Sequence, residues 1–278
     1  MTTRNTLIAI AATLLCSAAH ADEAITAANN EVSISFGAND LLYHELDNAH
    51  VTGGKYADSE QGSQPAVQVA AVRQGSIFGL EGIYTSAAVT VASGHTNYTG
   101  YQISLTSPSG IGAPVQTTTS MTEADVALKL GRAFMPLASR RLQVTPYLTY
   151  EFHVWERGTN ERYSNSMAGI GLMAQYSITH RVVLSADVTY GKTFGVLLQS
   201  MHGLDERLGS RPSRSASLGV DYAVTPRTHI KASYQVTSFG YGQSNYEKGV
   251  FAGMQGTWYE PTSRTIQQRV LVGIAHSF

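Results

Sequence analysis

The chain has 278 residues, a formal net charge of −1 and only 14% charged residues, against roughly 25% in soluble domains. The small net charge argues against nucleic acid as a partner, because binding to phosphate needs a basic surface. The single cysteine, Cys16, falls near the start of the chain, so the remainder can form neither a disulfide nor a thiolate metal site, and we expect no metal and no cofactor.

The first 21 residues have the pattern of a secretory signal peptide. Arg4 precedes an uncharged stretch at residues 7–19, and the small residues Ala19 and Ala21 lie just before the expected cleavage point. The uncharged stretch is too short for a membrane-spanning helix, which needs roughly 20 residues. The sequence therefore predicts an exported protein with a signal peptide at 1–21 and one mature domain at 22–278.

Apolar and polar residues alternate with period two through most of the mature chain. In one stretch, Val144, Leu148 and Phe152 fall on one face of an extended segment, and Thr149 and His153 fall on the other. This alternation is typical of strands with one apolar and one polar face. Ten such strands are predicted, at residues 31–43, 65–73, 77–90, 122–134, 142–155, 166–178, 182–194, 214–224, 228–240 and 266–278.

The connections between these strands alternate between short turns and long loops. Barrels of the outer membrane have an even number of strands, short turns on the periplasmic side and long loops outside. The sequence therefore predicts an all-β fold, a transmembrane antiparallel up-and-down β-barrel of about ten strands. We expect the Ser/Thr/Gly-rich segment 94–120 to be a mobile loop. The predicted long loops are 44–64, 91–121, 156–165, 195–213 and 241–265.

Aromatic residues on the apolar faces fall at two heights. A soluble β-sandwich, the main alternative, would not place them there, whereas amphipathic rings favour both surfaces of a bilayer. The girdle at the short-turn end is predicted to contain Phe78, Phe134, Tyr176, Tyr222 and Phe278, and the girdle at the loop end to contain Tyr84, Phe152, Tyr190 and Tyr234.

The last strand ends in the sequence RVLVGIAHSF, with Val270, Val272, Ile274 and Phe278 on one face. This strand resembles the C-terminal signature of bacterial outer-membrane β-barrel proteins. The resemblance implies that the protein resides in the outer membrane of a Gram-negative cell. It also implies that the strand ending at Phe278 pairs with the first strand and is recognised by the barrel-assembly machinery.

A barrel of about ten strands is little wider than an eight-strand barrel, whose interior is just filled by side chains. We therefore expect a filled lumen crossed by paired charges, since buried charges are tolerated when they are paired. A narrow channel for small solutes is the alternative. The charged residues predicted to point inward are Glu81, Glu123, Asp125, Lys129, Glu151, Asp187, Asp221, His229, Lys231 and Arg269.

Two pairs of inward residues could carry catalysis. Glu123 and Asp125 lie near the loop end of one strand, and Glu151 and His153 lie near the loop end of the next. Carboxylates beside a histidine can orient it as a general base that activates water. The arrangement resembles omptins, ten-strand surface proteases whose acidic residues and histidine face each other across a groove, although here the two pairs lie on adjacent strands. This resemblance implies a protease or hydrolase as an alternative function.

The long loops are the predicted place for ligand binding. Aromatic rings among glycines give a large contact area at low entropic cost, and arginines attract anionic groups such as lipopolysaccharide phosphates. The alternative is a lid that packs over the barrel mouth. The scale and loop content are similar to those of Opc-type adhesins, so the main prediction is adhesion to an external glycan or protein. The candidate ligand-binding residues are Tyr241, Tyr246, Phe251, Trp258, Tyr259, Arg207 and Arg211.

Overall fold

The computed structural model describes residues 23–278 except 49, 51, 105, 108–109, 159–160, 201–204 and 252. The signal peptide predicted at 1–21 lies outside the described residues. Within the described part of the chain, no helix has the length and apolar character needed to cross a membrane.

Strands account for most of the described chain. A short helical segment at residues 23–28 precedes the first of them. In chain order the strands are β1 (Glu31–Leu46), β2 (Tyr56–Ile77), β3 (Leu80–Ile103), β4 (Ile111–Arg132), β5 (Leu142–Arg157), β6 (Glu161–Thr179), β7 (Val182–Ser200), β8 (Asp205–Arg207), β9 (Pro212–Ala223), β10 (Thr228–Phe239), β11 (Glu247–Phe251), β12 (Met254–Trp258) and β13 (Ser263–Ser277).

Ten of these strands close into one antiparallel barrel. Each pairs with the next along the chain, with β9 following β7 and β13 following β10. The ring closes where β13 pairs with β1 over a continuous register from Glu31 opposite Ser277 to Glu45 opposite Ser263. The predicted ten-strand barrel is confirmed, and so is the pairing of the last strand with the first. Each of the ten barrel strands therefore has a paired neighbour on both sides in the described part of the chain, as a spanning sheet requires.

The outer wall of the barrel is a band of exposed apolar side chains. Leu218, Ile170 and Ile274 are each at least 60% exposed. All five aromatic residues of the predicted short-turn girdle are exposed, and so are Phe152, Tyr190 and Tyr234 near the loop end. An exposed apolar area of this size on a closed barrel is the surface that lipid covers. The protein is therefore a membrane-spanning barrel.

The prediction for Tyr84 is wrong. Its side chain is only 5% exposed and packs inside the barrel with Tyr147 and Met173. The predicted strand 77–90 counts its alternation of faces from Phe78. That residue lies in the β2–β3 turn, with a positive φ of 52°, and does not belong to a strand. The sheet register also shifts between Gly75 and Ile77. This turn changes the phase of the pattern, and for the same reason Glu81, predicted to point inward, is exposed.

The predicted loop at 94–120 is also largely wrong. Strand β3 continues to Ile103 and β4 begins at Ile111, so most of this segment is a tall paired hairpin. Threonines such as Thr96 and Thr119 face each other across the two strands. Threonine is β-branched and fits a pleated sheet, so a polar segment rich in threonine can form a strand without an apolar face. The wall therefore rises higher on the side of β2, β3 and β4 than on the side of β9 and β10.

The short-turn end of the lumen is filled by the helical segment 23–28 and the residues after it. Ile25 is fully buried and clusters with Val183. Directly above, Asn29 forms two hydrogen bonds with Gln175, of 2.7 and 2.9 Å between nitrogen and oxygen. Gln143 donates to Gln175 in turn, at 3.0 Å. Because amides both donate and accept, this layer is satisfied without charge.

Candidate functional site

The structure brings three of the four candidate catalytic residues together. Strands β4 and β5 pair with Asp125 opposite His153. The distance from His153 Nδ1 to Asp125 Oδ1 is 2.6 Å, and Nε2 of the same ring lies 3.8 Å from Glu123 Oε1. Glu123 and His153 are both buried. Each imidazole nitrogen therefore faces a carboxylate.

Residues from the opposite wall complete this group. Arg269 on β13 donates to Asp125 Oδ2 at 2.6 Å and to Asn39 Oδ1 at 3.1 Å. Asn39 donates to Glu123 Oε2 at 2.6 Å, and Gln267 donates to the other Glu123 oxygen. We call these six residues the central network: Asn39, Glu123, Asp125, His153, Gln267 and Arg269. It joins β4 and β5 to β1 and β13 across the lumen, as predicted for paired interior charges.

Glu151 stands apart from the other three candidates. No hydrogen bond or ion pair among the described residues joins it to His153. Both side chains line one cavity of about 100 Å³ beside the central network. Since water takes up about 30 Å³ per molecule, this space holds a few waters and not a peptide. Asp125 orients the imidazole of His153. However, Arg269 already pairs with Asp125, and Glu123 already faces the second imidazole nitrogen.

A layer of rings separates the central network from the loop end. The ring centroids of Tyr43 and Trp155 are 4.9 Å apart, and those of Trp155 and Tyr163 are 5.1 Å apart. Tyr241 stacks on Tyr163 at 5.2 Å, and Phe239 meets His153 edge-on at 5.1 Å. We call Tyr43, Trp155, Tyr163, Phe239 and Tyr241 the aromatic layer. All five are buried, so Tyr241, a predicted external contact, is inside the barrel and out of reach of an external ligand.

Above the aromatic layer, one arginine collects four carboxylates. Arg157 Nε donates to Glu60 at 2.5 Å, Nη2 to Asp58 at 2.8 Å and Nη1 to Glu161 at 3.1 Å, with Glu45 3.5 Å away. We call this group the arginine cluster. The sequence does not predict this cluster, because Glu45, Asp58 and Glu60 fall in the predicted loop 44–64. The inward phase of β1 continues to Glu45 and that of β5 to Arg157, and this continued alternation is the signal that places both residues inside.

Glu260 ties the last loop to the top of the lumen. It accepts a hydrogen bond from the Tyr163 hydroxyl at 2.8 Å, and its own backbone N–H donates to Glu206 Oε2 at 3.0 Å. Burial, reinforced by the nearby Glu161 carboxylate, raises the pKa of Glu260 to about 8. The protonated form of this carboxyl is therefore favoured at neutral pH, in a loop outside the spanning strands.

Beyond Glu260 the predicted ligand-binding rings gather on a small hairpin. Strands β11 and β12 pair only with each other in the described part of the chain. Tyr246 is 65% exposed, and its ring centroid lies 4.7 Å from that of Tyr259. The indole of Trp258 donates to Gly249 O at 3.2 Å and braces the hairpin. We call residues 246–259 the surface hairpin; Phe251 ends β11, and its side chain lies outside the described part.

The two predicted arginines take different positions. Arg207 is exposed on the short strand β8, between the buried Glu206 and Leu208. Arg211 donates to Thr262 Oγ1 at 3.0 Å and so links the segment before β9 to the one before β13. Among the described residues, the structure shows no hydrogen bond, ion pair or ring contact that joins either arginine to the surface hairpin.

Comparison with known proteins supports the fold. No protein-family model matches the chain, and no curated protein sequence matches it. The outer membrane protease OmpT from Escherichia coli is similar in structure, with a TM-score of 0.55 and 11% identity over 91% of this chain and 98% of OmpT. The β domain of the Bordetella autotransporter BrkA gives 0.44 and 13%, over 90% and 100% of the two chains. Ail of Yersinia pestis, solved with a heparin analogue, gives 0.32 and 11%, over 90% and 99%.

At 11% identity the likeness to OmpT concerns the fold alone. Together with the apolar outer wall, this likeness confirms the prediction of a ten-strand transmembrane β-barrel.

Proposed function

We propose that this outer-membrane barrel is a filled scaffold that binds an external glycan or protein through the surface hairpin. The observation that carries the proposal is the hairpin itself, whose two strands pair only with each other among the described residues. Its exposed side chains include Tyr246 and Val250. Exposed aromatic and aliphatic groups among polar neighbours are typical of contact surfaces.

The chemistry of the surface hairpin favours a partner with flat apolar faces. The rings of Tyr246 and Tyr259 provide area at low entropic cost, and the neighbouring glycines let a partner approach the backbone. Glu247 and Lys248 carry opposite charges on the same strand, so the hairpin is close to neutral. Sugar rings and protein surfaces both fit this chemistry, and arrays of immobilised glycans and matrix proteins distinguish them.

The test measures binding of intact cells to those arrays. The variant with 246–259 replaced by a short glycine–serine turn and the variant Tyr246→Ala with Val250→Ser are both expected to lose about tenfold or more in apparent affinity. Tyr241→Phe is the matched control, because this ring lies inside the barrel and should leave binding unchanged. Equal binding by the native chain and the hairpin variants would show that the partner contacts another surface.

The membrane partners are proposals as well. Arg214 and Lys192 are exposed next to Tyr190 on the outer wall, and the Arg214 guanidinium lies 5.8 Å from the Tyr190 ring. A cation just beyond an aromatic girdle is well placed for lipopolysaccharide phosphate. Recognition of the strand ending at Phe278 by the barrel-assembly machinery is supported by the exposure of that ring at the short-turn end.

The hydrolase alternative has less support. The bond between Asp125 and His153 is the geometry that a general base needs. However, the aromatic layer lies above it and the adjoining cavity is too small for a peptide. The channel alternative meets a similar obstacle, since the helical segment 23–28 packs at the short-turn end and the aromatic layer crosses the loop end.

A further inference from the structure

A second histidine lies among carboxylates at the short-turn end of the lumen. Glu31 comes from β1, Asp221 from β9 and His229 from β10, and all three are buried. One ligand atom from each, a carboxylate oxygen or an imidazole nitrogen, lies within 4.8 Å of the others. We call these three residues the basal cluster. Neither the adhesion proposal nor the hydrolase alternative uses it.

The hydrogen bonds of the basal cluster are incomplete. His229 Nδ1 lies 2.6 Å from Asp221 Oδ1, and Nε2 lies 3.1 Å from the Ser277 hydroxyl. Lys231 donates to Glu31 Oε1. The second oxygens, Glu31 Oε2 and Asp221 Oδ2, are buried and accept no hydrogen bond from any residue that the structure describes. A buried oxygen without a partner costs free energy, and more so when it belongs to a charged group.

We propose that the basal cluster binds a divalent transition-metal ion through His229, Asp221 and Glu31. Imidazole nitrogen and carboxylate oxygen are both zinc ligands, at distances of about 2.0–2.2 Å. The 3.8 Å separation of His229 Nδ1 and Glu31 Oε2 leaves room for an ion between them. The ion would replace the proton that His229 Nδ1 and Asp221 Oδ1 now share, which is released to solvent. Three protein ligands leave one position open, which water fills in open zinc sites.

The charges around the basal cluster favour a cation. Lys231 pairs with Glu31 and His229 pairs with Asp221, so a metal-bound, neutral imidazole leaves the two carboxylates with only one ammonium among these four residues. A divalent ion offsets the remaining negative charge and satisfies both free oxygens at once.

The basal cluster adjoins a cavity at the short-turn end of the barrel. This cavity has a volume of about 290 Å³ and lies beside the helical segment 23–28. Its lining includes Asp221 and His229 from the cluster, with Thr225 and Pro226 from the β9–β10 turn. The two ligands are thus in contact with a space large enough for a hydrated ion.

The central network provides an internal control, since it contains the same pairing of histidine and aspartate. The distance from His153 Nδ1 to Asp125 Oδ1 is also 2.6 Å. There, however, the second aspartate oxygen is taken by Arg269, and both Glu123 oxygens accept amide hydrogens. No carboxylate oxygen of the central network is left for a metal.

The experiment is a Zn²⁺ titration of the full chain from residue 22, purified in detergent and stripped with a chelator, against a competing chromogenic chelator. The native protein is expected to bind one Zn²⁺ per chain. His229→Gln should weaken binding by at least about tenfold, and His153→Gln should leave the affinity unchanged. Heat-modifiable migration on gels establishes that each variant is folded.

A further variant is expected to gain affinity. Lys231→Met removes the cation and the hydrogen-bond donor that compete for Glu31 and frees a second oxygen, so Zn²⁺ should bind more tightly than to the native chain. A purely structural role for the cluster gives no such gain. The proposal is overturned by a native protein that binds no Zn²⁺ saturably, by a folded His229→Gln variant that binds like the native chain, or by equal losses in the two histidine variants.

Discussion

At the scale of single residues, Arg157 is the charge on which the loop end depends most. Its guanidinium is the shared partner of four carboxylates and also lies 4.9 Å from the ring centroid of Tyr98. Glu60 is fully buried and cannot regain water if the arginine is lost. The neighbouring pair of Arg162 and Glu156 differs, since their side chains are more than half exposed and 4.0 Å apart.

Replacement of Arg157 should therefore destabilise the barrel far more than replacement of Arg162. Arg157→Met keeps the stem but leaves buried carboxylates without a cation, and we expect a loss of about 3–5 kcal/mol in the free energy of unfolding. Arg162→Gln, the matched control, should cost less than about 1 kcal/mol. Urea unfolding in lipid vesicles measures both, and equal losses would mean that the carboxylates around Arg157 are neutral or hydrated.

Glu260 predicts how the loop end responds to pH. Its pKa is raised from 4.5 to about 8 by burial and by Glu161. A carboxyl whose pKa is higher in the folded state stabilises that state below its unfolded pKa, and the stabilisation is lost as the pH rises through the folded pKa. The contribution of Glu260 should therefore decline between pH 4.5 and about pH 8.

The check compares thermal midpoints of the native chain and Glu260→Gln from pH 5 to 9. The native midpoint should fall relative to that of the variant, and the variant should be the more stable one at pH 9, because its amide stays neutral and can accept the Tyr163 hydrogen bond. Parallel curves over this range would contradict the raised pKa. Tyr163→Phe shows whether the hydrogen bond itself contributes.

At the scale of strands, the sequence predicts best the segments that contact lipid. Where lipid covers one face, as at Ile170 or Ile274, every second residue must be apolar, and this alternation identifies the strand. Above the membrane both faces meet water or a polar lumen. The upper halves of β3 and β4 therefore carry threonine and glycine on both faces, and the prediction ended their strands too early.

The sequence predicts the part of the candidate site that lies on neighbouring strands, but not the partners that reach it across the lumen. Alternation placed Glu123, Asp125 and His153 on one inward face, and the pairing of β4 with β5 made their contact a short step. The partners Arg269 and Asn39 come from the far side of the barrel, and which residues meet across the lumen depends on strand tilt and stagger. Tyr241 lies two residues after the buried Phe239, so the period-two pattern of β10, continued past the end of the strand, places it on the inward side.

At the scale of the whole molecule, the lumen is closed twice. The helical segment 23–28 fills the short-turn end, and the aromatic layer crosses the loop end. Between them lie polar cavities of about 100 and 280 Å³, which share Lys129 and Arg269 in their linings. The barrel thus contains a middle compartment with polar and charged side chains in its lining, between the two closures.

Two closures in series give a conductance prediction that neither alone would give. The native chain should be silent in planar bilayers. Deletion of 23–28 should leave it silent because the aromatic layer remains, and Trp155→Ala with Tyr163→Ala should leave it silent because the helical segment remains. Only the combination opens both ends of the compartment and should give discrete steps for small ions.

The outer wall supplies the control for this experiment. Tyr150→Ala with Tyr190→Ala removes two rings of similar size from the lipid face, so steps in that variant would reflect a disordered barrel and not an opened lumen. Steps from the native chain would show that the closures move aside, which would restore the channel alternative. Steps after deletion of 23–28 alone would show that the aromatic layer is permeable. The two barriers lie in series, so either one, if impermeable, would block the ions.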